Sequence, residues 1–154
     1  MKTLDAVIAE SPVFAGLTQE QLEFIAGCAQ NVHFEEGQQI AKRGDAADIF
    51  YLLRMGEVAL DVDVPNKNSV RIDTIEAGQV LGWSWLIPPY QWTYDVTATE
   101  LVRAVSFDGA CIRGKCESDP ALGYALLVRF SQVIVGRLQA TRLRLIDIYG
   151  ADTH

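Results

Sequence analysis

Val58-Ala59-Leu60-Asp61-Val62-Asp63-Val64 is the stretch that decides the fold: four apolar residues alternate with Ala59, Asp61 and Asp63. A period of two puts the apolar set on one face of a strand and the carboxylates on the other, the pattern of a half-buried antiparallel strand. The same alternation returns at Val70, Ile72 and Thr74, and again at Tyr94, Val96 and Ala98. Turn residues separate such runs, at Glu36-Gly37, Arg43-Gly44-Asp45, Met55-Gly56, Pro65-Asn66-Lys67-Asn68 and Ala77-Gly78. Short strands with glycine turns at this rhythm predict a closed barrel or jelly roll over 31–107.

Helical patterns flank the roll. Residues 3–10 place Leu4, Val7 and Ile8 on one face, and Ser11-Pro12 ends that helix. Thr18-Gln19-Glu20-Gln21 reads as a capping box, followed by Leu22, Ile25, Ala26 and Ala29 at helical spacing. After the roll, Asp108 opens a brief helix holding Cys111 and Cys116. A long helix over 120–149 follows, with Asp119 as its cap, Pro120 at its first position and Gly150 as its stop. At 1.5 Å per residue it measures about 45 Å, too long to lie wholly on so small a roll. Along it Tyr124, Leu127, Ser131, Ile134, Leu138, Thr141, Leu145 and Ile148 form a heptad seam. The seam predicts a parallel helix pair between two subunits, with Arg137, Arg142 and Arg144 on its flanks; the alternative is that it packs only on its own roll.

The 154 residues make one domain, 1–154, divided into 1–30 helical, 31–107 roll and 108–149 helical parts. A net charge of −7 argues against a nucleic-acid surface, which needs cations to neutralise phosphates. Three cysteines without C-x-x-C spacing, no secretory leader and no apolar run long enough for a bilayer predict a reduced, cytoplasmic protein with no membrane contact. His33 and His154 are the only histidines, so neither a catalytic triad nor a histidine metal site is expected, and no cofactor or enzymatic constellation stands out. Cys111 and Cys116 sit five apart, on different helix faces, and read as buried filler rather than reactive thiols. Glu35-Glu36 reads as a solvated turn.

One stretch resists the pattern. Gly82-Trp83-Ser84-Trp85-Leu86-Ile87-Pro88-Pro89-Tyr90-Gln91-Trp92-Thr93-Tyr94-Asp95 holds all three tryptophans and two tyrosines, where a polar loop is expected. Aromatic groups at that density either fill a core or line a concave site.

The order of elements, together with Pro12-Val13-Phe14-Ala15-Gly16-Leu17, Phe34-Glu35-Glu36-Gly37-Gln38-Gln39-Ile40, Gly44 through Leu53 and Gly56-Glu57-Val58, resembles the cyclic-nucleotide-binding domain family. That domain is the sensor half of catabolite-activator-type regulators and a module of kinases and channels. The resemblance implies a mainly β protein: an eight-stranded β-roll, jelly-roll-like (a double-stranded β-helix), with N-terminal helices and a long C-terminal helix. It implies turn roles for Gly37, Gly44, Gly56 and Gly78, with Asp45 and Asp48 bonding local N–H groups.

The resemblance also gives the aromatic stretch an address. The family's phosphate-binding cassette reads Gly-Glu-x-Ala-Leu, then Arg-x-Ala-Thr or Ser. Gly82 matches its glycine, Trp83 its glutamate, Trp85 its alanine, Leu86 its leucine, Trp92 its arginine and Asp95 its Thr or Ser, with Ser84, Thr93 and Tyr94 between. The acid that would meet the ribose and the base that would meet the phosphate are both indoles, so the cassette is expected to be degenerate. Arg54, Arg71 and Arg103 are the candidate replacement cations, each expected to face solvent. Either the rings plug the old pocket, or Trp83, Trp85, Tyr90 and Trp92 re-line it for an apolar ligand.

The expected function is therefore a non-enzymatic regulatory module, dimeric through Leu127, Ile134, Leu138, Thr141, Leu145 and Ile148 and acting on an unidentified protein partner. The alternative is a small-molecule sensor that binds a cyclic nucleotide atypically, or an apolar or aromatic ligand. The long helix is not followed by a helix-turn-helix, so no direct DNA binding is expected.

Overall fold

The computed structural model describes residues 3–66 and 68–151; Lys67 of the expected turn and His154 fall outside them. The chain begins with α1 (Leu4–Glu10), a 3-10 turn (Pro12–Phe14) and α2 (Gln19–Gly27). Thr3 caps α1 by accepting from the Ala6 N–H (3.3 Å). The predicted capping box of α2 is formed reciprocally, with Thr18 Oγ1 accepting from the Gln21 N–H (3.1 Å) and Gln21 Oε1 from the Thr18 N–H (3.0 Å). The helix ends two residues early: Ala29, expected on its apolar stripe, instead opens the first strand.

Among the described residues eight strands follow: β1 (Ala29–Phe34), β2 (Gln39–Ala41), β3 (Ile49–Met55), β4 (Glu57–Val62), β5 (Val70–Glu76), β6 (Val80–Leu81), β7 (Asp95–Ala98) and β8 (Val102–Asp108). They form two antiparallel sheets of four, ordered β1-β8-β3-β6 and β2-β7-β4-β5, which is the predicted roll. The reversal between β3 and β4 depends on Gly56. Its φ is +92°, and a Cβ there would lie 2.2 Å from the Leu101 carbonyl oxygen, so only glycine fits.

Two apolar cores explain the unbroken apolar run of β3, Phe50 to Leu53. Phe50 and Leu52 face an outer core with Ile8, Phe14, Phe107, Leu122 and Phe130, between the first sheet and the helices. Tyr51 and Leu53 face the roll interior with Val58, Leu60, Ile75, Val96 and Val102. A strand buried on both faces has no polar side to show.

The expected alternation holds less well at β4 and β5. Ala59 is as buried as Val58, and β4 stops at Val62, short of Val64. In the β4–β5 ladder Leu60 opposes Asp73 and Asp61 opposes Arg71, so Ile72 is an extra, bulged residue. The bulge reverses the expected phase: Ile75 is buried, whereas Val70 and Ile72 are 40% and 37% exposed.

After β8 come α3 (Gly109–Ser118), capped by Asp108, and α4 (Pro120–Ala151). α4 runs through Gly150, which sequence patterning makes its stop. Leu122, Leu126 and Phe130 on its first turns are fully buried and close the outer core. By length and composition Pro120–Ile148 is apolar enough to cross a membrane, which corrects the expectation that no such run exists. Here one face of that segment is packed on the roll, and two of its arginines bond to β5.

Candidate functional site

The aromatic stretch leaves β6 at Leu81 and re-enters the sheet at β7, and its three tryptophans go to three different places. Trp85 points to the outer core and is wholly buried. It stacks on Phe50 (4.6 Å between centroids, 17°) and meets Phe130 edge-on (5.2 Å). Trp92 is buried in the roll interior, where a Cβ on Gly82 would lie only 2.8 Å from its ring. Trp83 remains partly exposed beside Tyr94.

Backbone bonds hold the stretch in register against the loop before β3. Gly44 N–H donates to the Trp92 carbonyl (2.9 Å), Trp92 N–H to the Asp45 carbonyl (2.9 Å), and Ala47 N–H to the Tyr90 carbonyl (2.8 Å). Asp95 accepts the Arg43 N–H at 2.8 Å, so its carboxylate caps this loop. The Pro88–Pro89 peptide is cis, and Tyr90 is left-handed with φ +59°. Arg113 from α3 lies 4.0 Å above the Tyr90 ring and donates to the Trp85 carbonyl. Asp48, expected to bond local N–H groups, instead lies 3.4 Å from the Arg113 guanidinium.

Between the second sheet and α4 lies a cavity of about 230 Å³. Leu60, Ile75, Trp83 and Tyr94 line it from the roll, and Ile134 and Leu138 from α4. The Trp83 indole lies beside the Tyr94 hydroxyl. Burial pushes that hydroxyl up to about 12, with the Arg137 charge opposing, so Tyr94 stays a neutral phenol.

Asp73 closes one end of this cavity. Arg137 Nη1 donates to its Oδ2 (2.9 Å) and Arg144 Nη2 to its Oδ1 (2.7 Å). Arg144 also donates to the Ile72 carbonyl at the bulge, so the displaced backbone of β5 finds its partner on α4. Burial alone would raise the Asp73 carboxyl. The Arg144 and Thr74 hydrogen bonds and the two guanidinium charges outweigh it and hold the group below the usual carboxylate value. An acid with a depressed folded-state value contributes stability above its unfolded value and loses it as pH falls through the folded one. The second half of α4 is therefore expected to lose hydrogen-exchange protection below about pH 4, and Asp73→Asn is expected to remove that step.

Of the predicted site residues, Gly82, Trp83 and Tyr94 line the cavity, as do Ile134, Leu138 and Thr141 of the seam. Ser84, Trp85 and Trp92 are buried elsewhere, Leu86 packs on the outer core and Thr93 faces solvent. Arg54, Arg71 and Arg103 are exposed, with Arg71 3.5 Å from Asp61. The cation lining the cavity is Arg137, with Arg144 reaching Asp73 at its edge; sequence reading places both beside a subunit seam. Their spacing of seven residues already puts them on one helix face; the bulge that aims Asp73 at them carries no sequence signal. Among the described residues no cluster of His, Cys, Asp and Glu could hold a metal.

The roll has close counterparts among solved structures. A protein of Geobacter metallireducens GS-15, described as a candidate cyclic nucleotide-binding protein, superposes with a TM-score of 0.80 at 32% identity, over 90% of this chain and 99% of that one. The Catabolite Activator Protein of Thermus thermophilus has a TM-score of 0.69 at 19% identity, over 90% of this chain and 63% of that one. A candidate potassium channel protein of Rhodopseudomonas palustris is 23% identical over 147 residues, 94% of this chain and 34% of that one. The chain spans about a third or less of the length of the curated relatives it matches. Residues 31–119 match the family described as Cyclic nucleotide-binding domain, and the chain belongs to that family of regulatory β-rolls.

Proposed function

We propose that this domain is a non-enzymatic regulatory module whose nucleotide site is closed, and that it works in the cytoplasm as a homodimer on a protein partner. One observation carries the reading: Trp92 stands where the cassette arginine is expected and its ring occupies the roll interior against Gly82. A cyclic phosphate placed there would meet an indole instead of a guanidinium, and an unpaired anion in an apolar site costs several kcal/mol. Arg137 and Arg144 do not replace the lost cation, because Asp73 already engages both.

A heat-shift assay tests this. A ligand at a hundred times its Kd stabilises by about 2.7 kcal/mol, which raises the melting temperature of a domain this size by several degrees. The expected result with cAMP or cGMP is no shift; a shift of that size overturns the reading.

The cavity favours a second reading, a sensor for a compact apolar or aromatic molecule. Its volume of about 230 Å³ lies between the cavity of ~150 Å³ that takes up benzene and the ~300 Å³ where drug-sized pockets begin. Trp83 is a wall of that cavity, so quenching of its fluorescence by a monocyclic aromatic ligand supports this reading.

The dimer rests on α4. Leu127, Leu138, Leu145 and Ile148 of the heptad seam are 47 to 59% exposed, although they lie on an apolar stripe. At 100° per residue the seam sits about a quarter turn from the face that packs on the roll. Ile134 and Thr141 fall on the border between the two. One helix can therefore hold its own roll and still offer a seam to a second copy.

A further inference from the structure

Two thiols meet across the fold at a place the nucleotide pocket does not use. Cys28 closes α2 just before β1, and Cys111 lies in the first turn of α3. Their Sγ atoms are 3.2 Å apart, although 83 residues separate them in sequence. Both are free cysteines, Cys111 exposed and Cys28 half-buried. They open on a surface cleft of about 500 Å³ whose lining includes Gln30, Asp48, Ser106 and Asp108.

We propose that Cys28 and Cys111 are a reversible dithiol–disulfide pair, oxidised by small-molecule disulfides such as oxidised glutathione, that ties α3 to the end of α2. The sulfurs need to close from 3.2 Å to about 2.05 Å, a movement side-chain rotation can supply. The order of steps follows from exposure. The Cys111 thiolate attacks one sulfur of glutathione disulfide, forming a mixed disulfide and releasing one glutathione thiolate. Cys28 then attacks the Cys111 sulfur and displaces the second glutathione, its proton passing to the departing thiolate. The protein loses two electrons and two protons, and one glutathione disulfide becomes two glutathione thiols.

Burial pushes the Cys28 thiol up to about 12, reinforced by its hydrogen bond to Cys111 and by the nearby Asp108 charge. This leaves the first attack to the exposed Cys111; the second step is intramolecular, with the Cys28 sulfur already 3.2 Å from its target, so it proceeds from a small thiolate fraction. Cys116, on the α4 side of α3 against Gly123, has no sulfur neighbour among the described residues and serves as an internal control.

The test uses the full chain exchanged against oxidised glutathione, followed by maleimide titration in denaturant and peptide mapping. Expected are one remaining thiol, Cys116, a mass lower by two hydrogens, a peptide joining 28 to 111, and reversal by dithiothreitol. The cross-link closes a long loop, so melting should rise by roughly 5 to 10 °C. Cys28→Ser should stop at a glutathione adduct on Cys111, and Cys111→Ser should keep both its thiols. Three thiols left in the wild type, a persistent glutathione adduct there, or a disulfide joining two chains would each overturn the proposal.

Discussion

Trp85→Ala is expected to lower the unfolding free energy by about 3–5 kcal/mol, with an unchanged denaturant slope. Trp85 is fully enclosed by Phe50, Phe130 and the backbone of Gly109, where a Cβ would already lie 2.9 Å from its own Cβ. Truncation leaves a void between the first sheet, α3 and α4 that three rigid elements cannot collapse into. Trp85→Phe is expected to cost under about 2 kcal/mol. It keeps the stacking on Phe50 and removes an indole N–H that has no partner among the described residues. The same truncation at Trp83, a partly exposed cavity wall that also packs on the edge of the outer core, is expected to cost less, about 1–2 kcal/mol. Urea titration of the three variants separates a tryptophan that builds the core from one that borders a cavity.

Leu145→Glu is expected to convert the proposed dimer to a monomer. In a symmetric helix pair each substitution is met twice at the seam, so two carboxylates enter an apolar interface together. A loss of about 4 kcal/mol weakens the dimer about a thousandfold. Leu145 is the clean position because it belongs to neither core cluster, whereas Leu138 also lines the cavity. Sedimentation should give the wild type at twice the chain mass and the variant at the chain mass, with the fold retained. A wild type already at chain mass would remove the dimer.

Much of this architecture was legible because it rests on local rules. The Thr18 capping box and the Asp119-Pro120 helix start depend on side chains that bond free backbone N–H groups, and the glycine turns on a positive φ that few residues adopt; the structure uses all of them as read. The period-two runs located the strands, but not the bulge at Ile72. A one-residue slip reverses the phase of a strand without leaving a mark in its composition. That slip aims Asp73 at α4, and with it went the two arginines that pin the helix over the cavity. The tryptophans show a second limit. Between β6 and β7 the backbone follows no helical or strand period, so spacing cannot say which way a ring points. Trp83, Trp85 and Trp92 are neighbours in sequence and occupy a cavity wall, an outer core and a roll interior. The question whether they plug or line a pocket thus has a different answer for each ring. Cys28 and Cys111 mark the same limit at longer range, since only the tertiary fold brings the ends of α2 and β8 together.

Calorimetric titration of the domain with cAMP, cGMP and cyclic dinucleotides tests the closed site most directly. No binding heat is expected, because the Trp92 ring occupies the roll interior against Gly82 and Asp73 already engages Arg137 and Arg144. Micromolar binding of cAMP would contradict it.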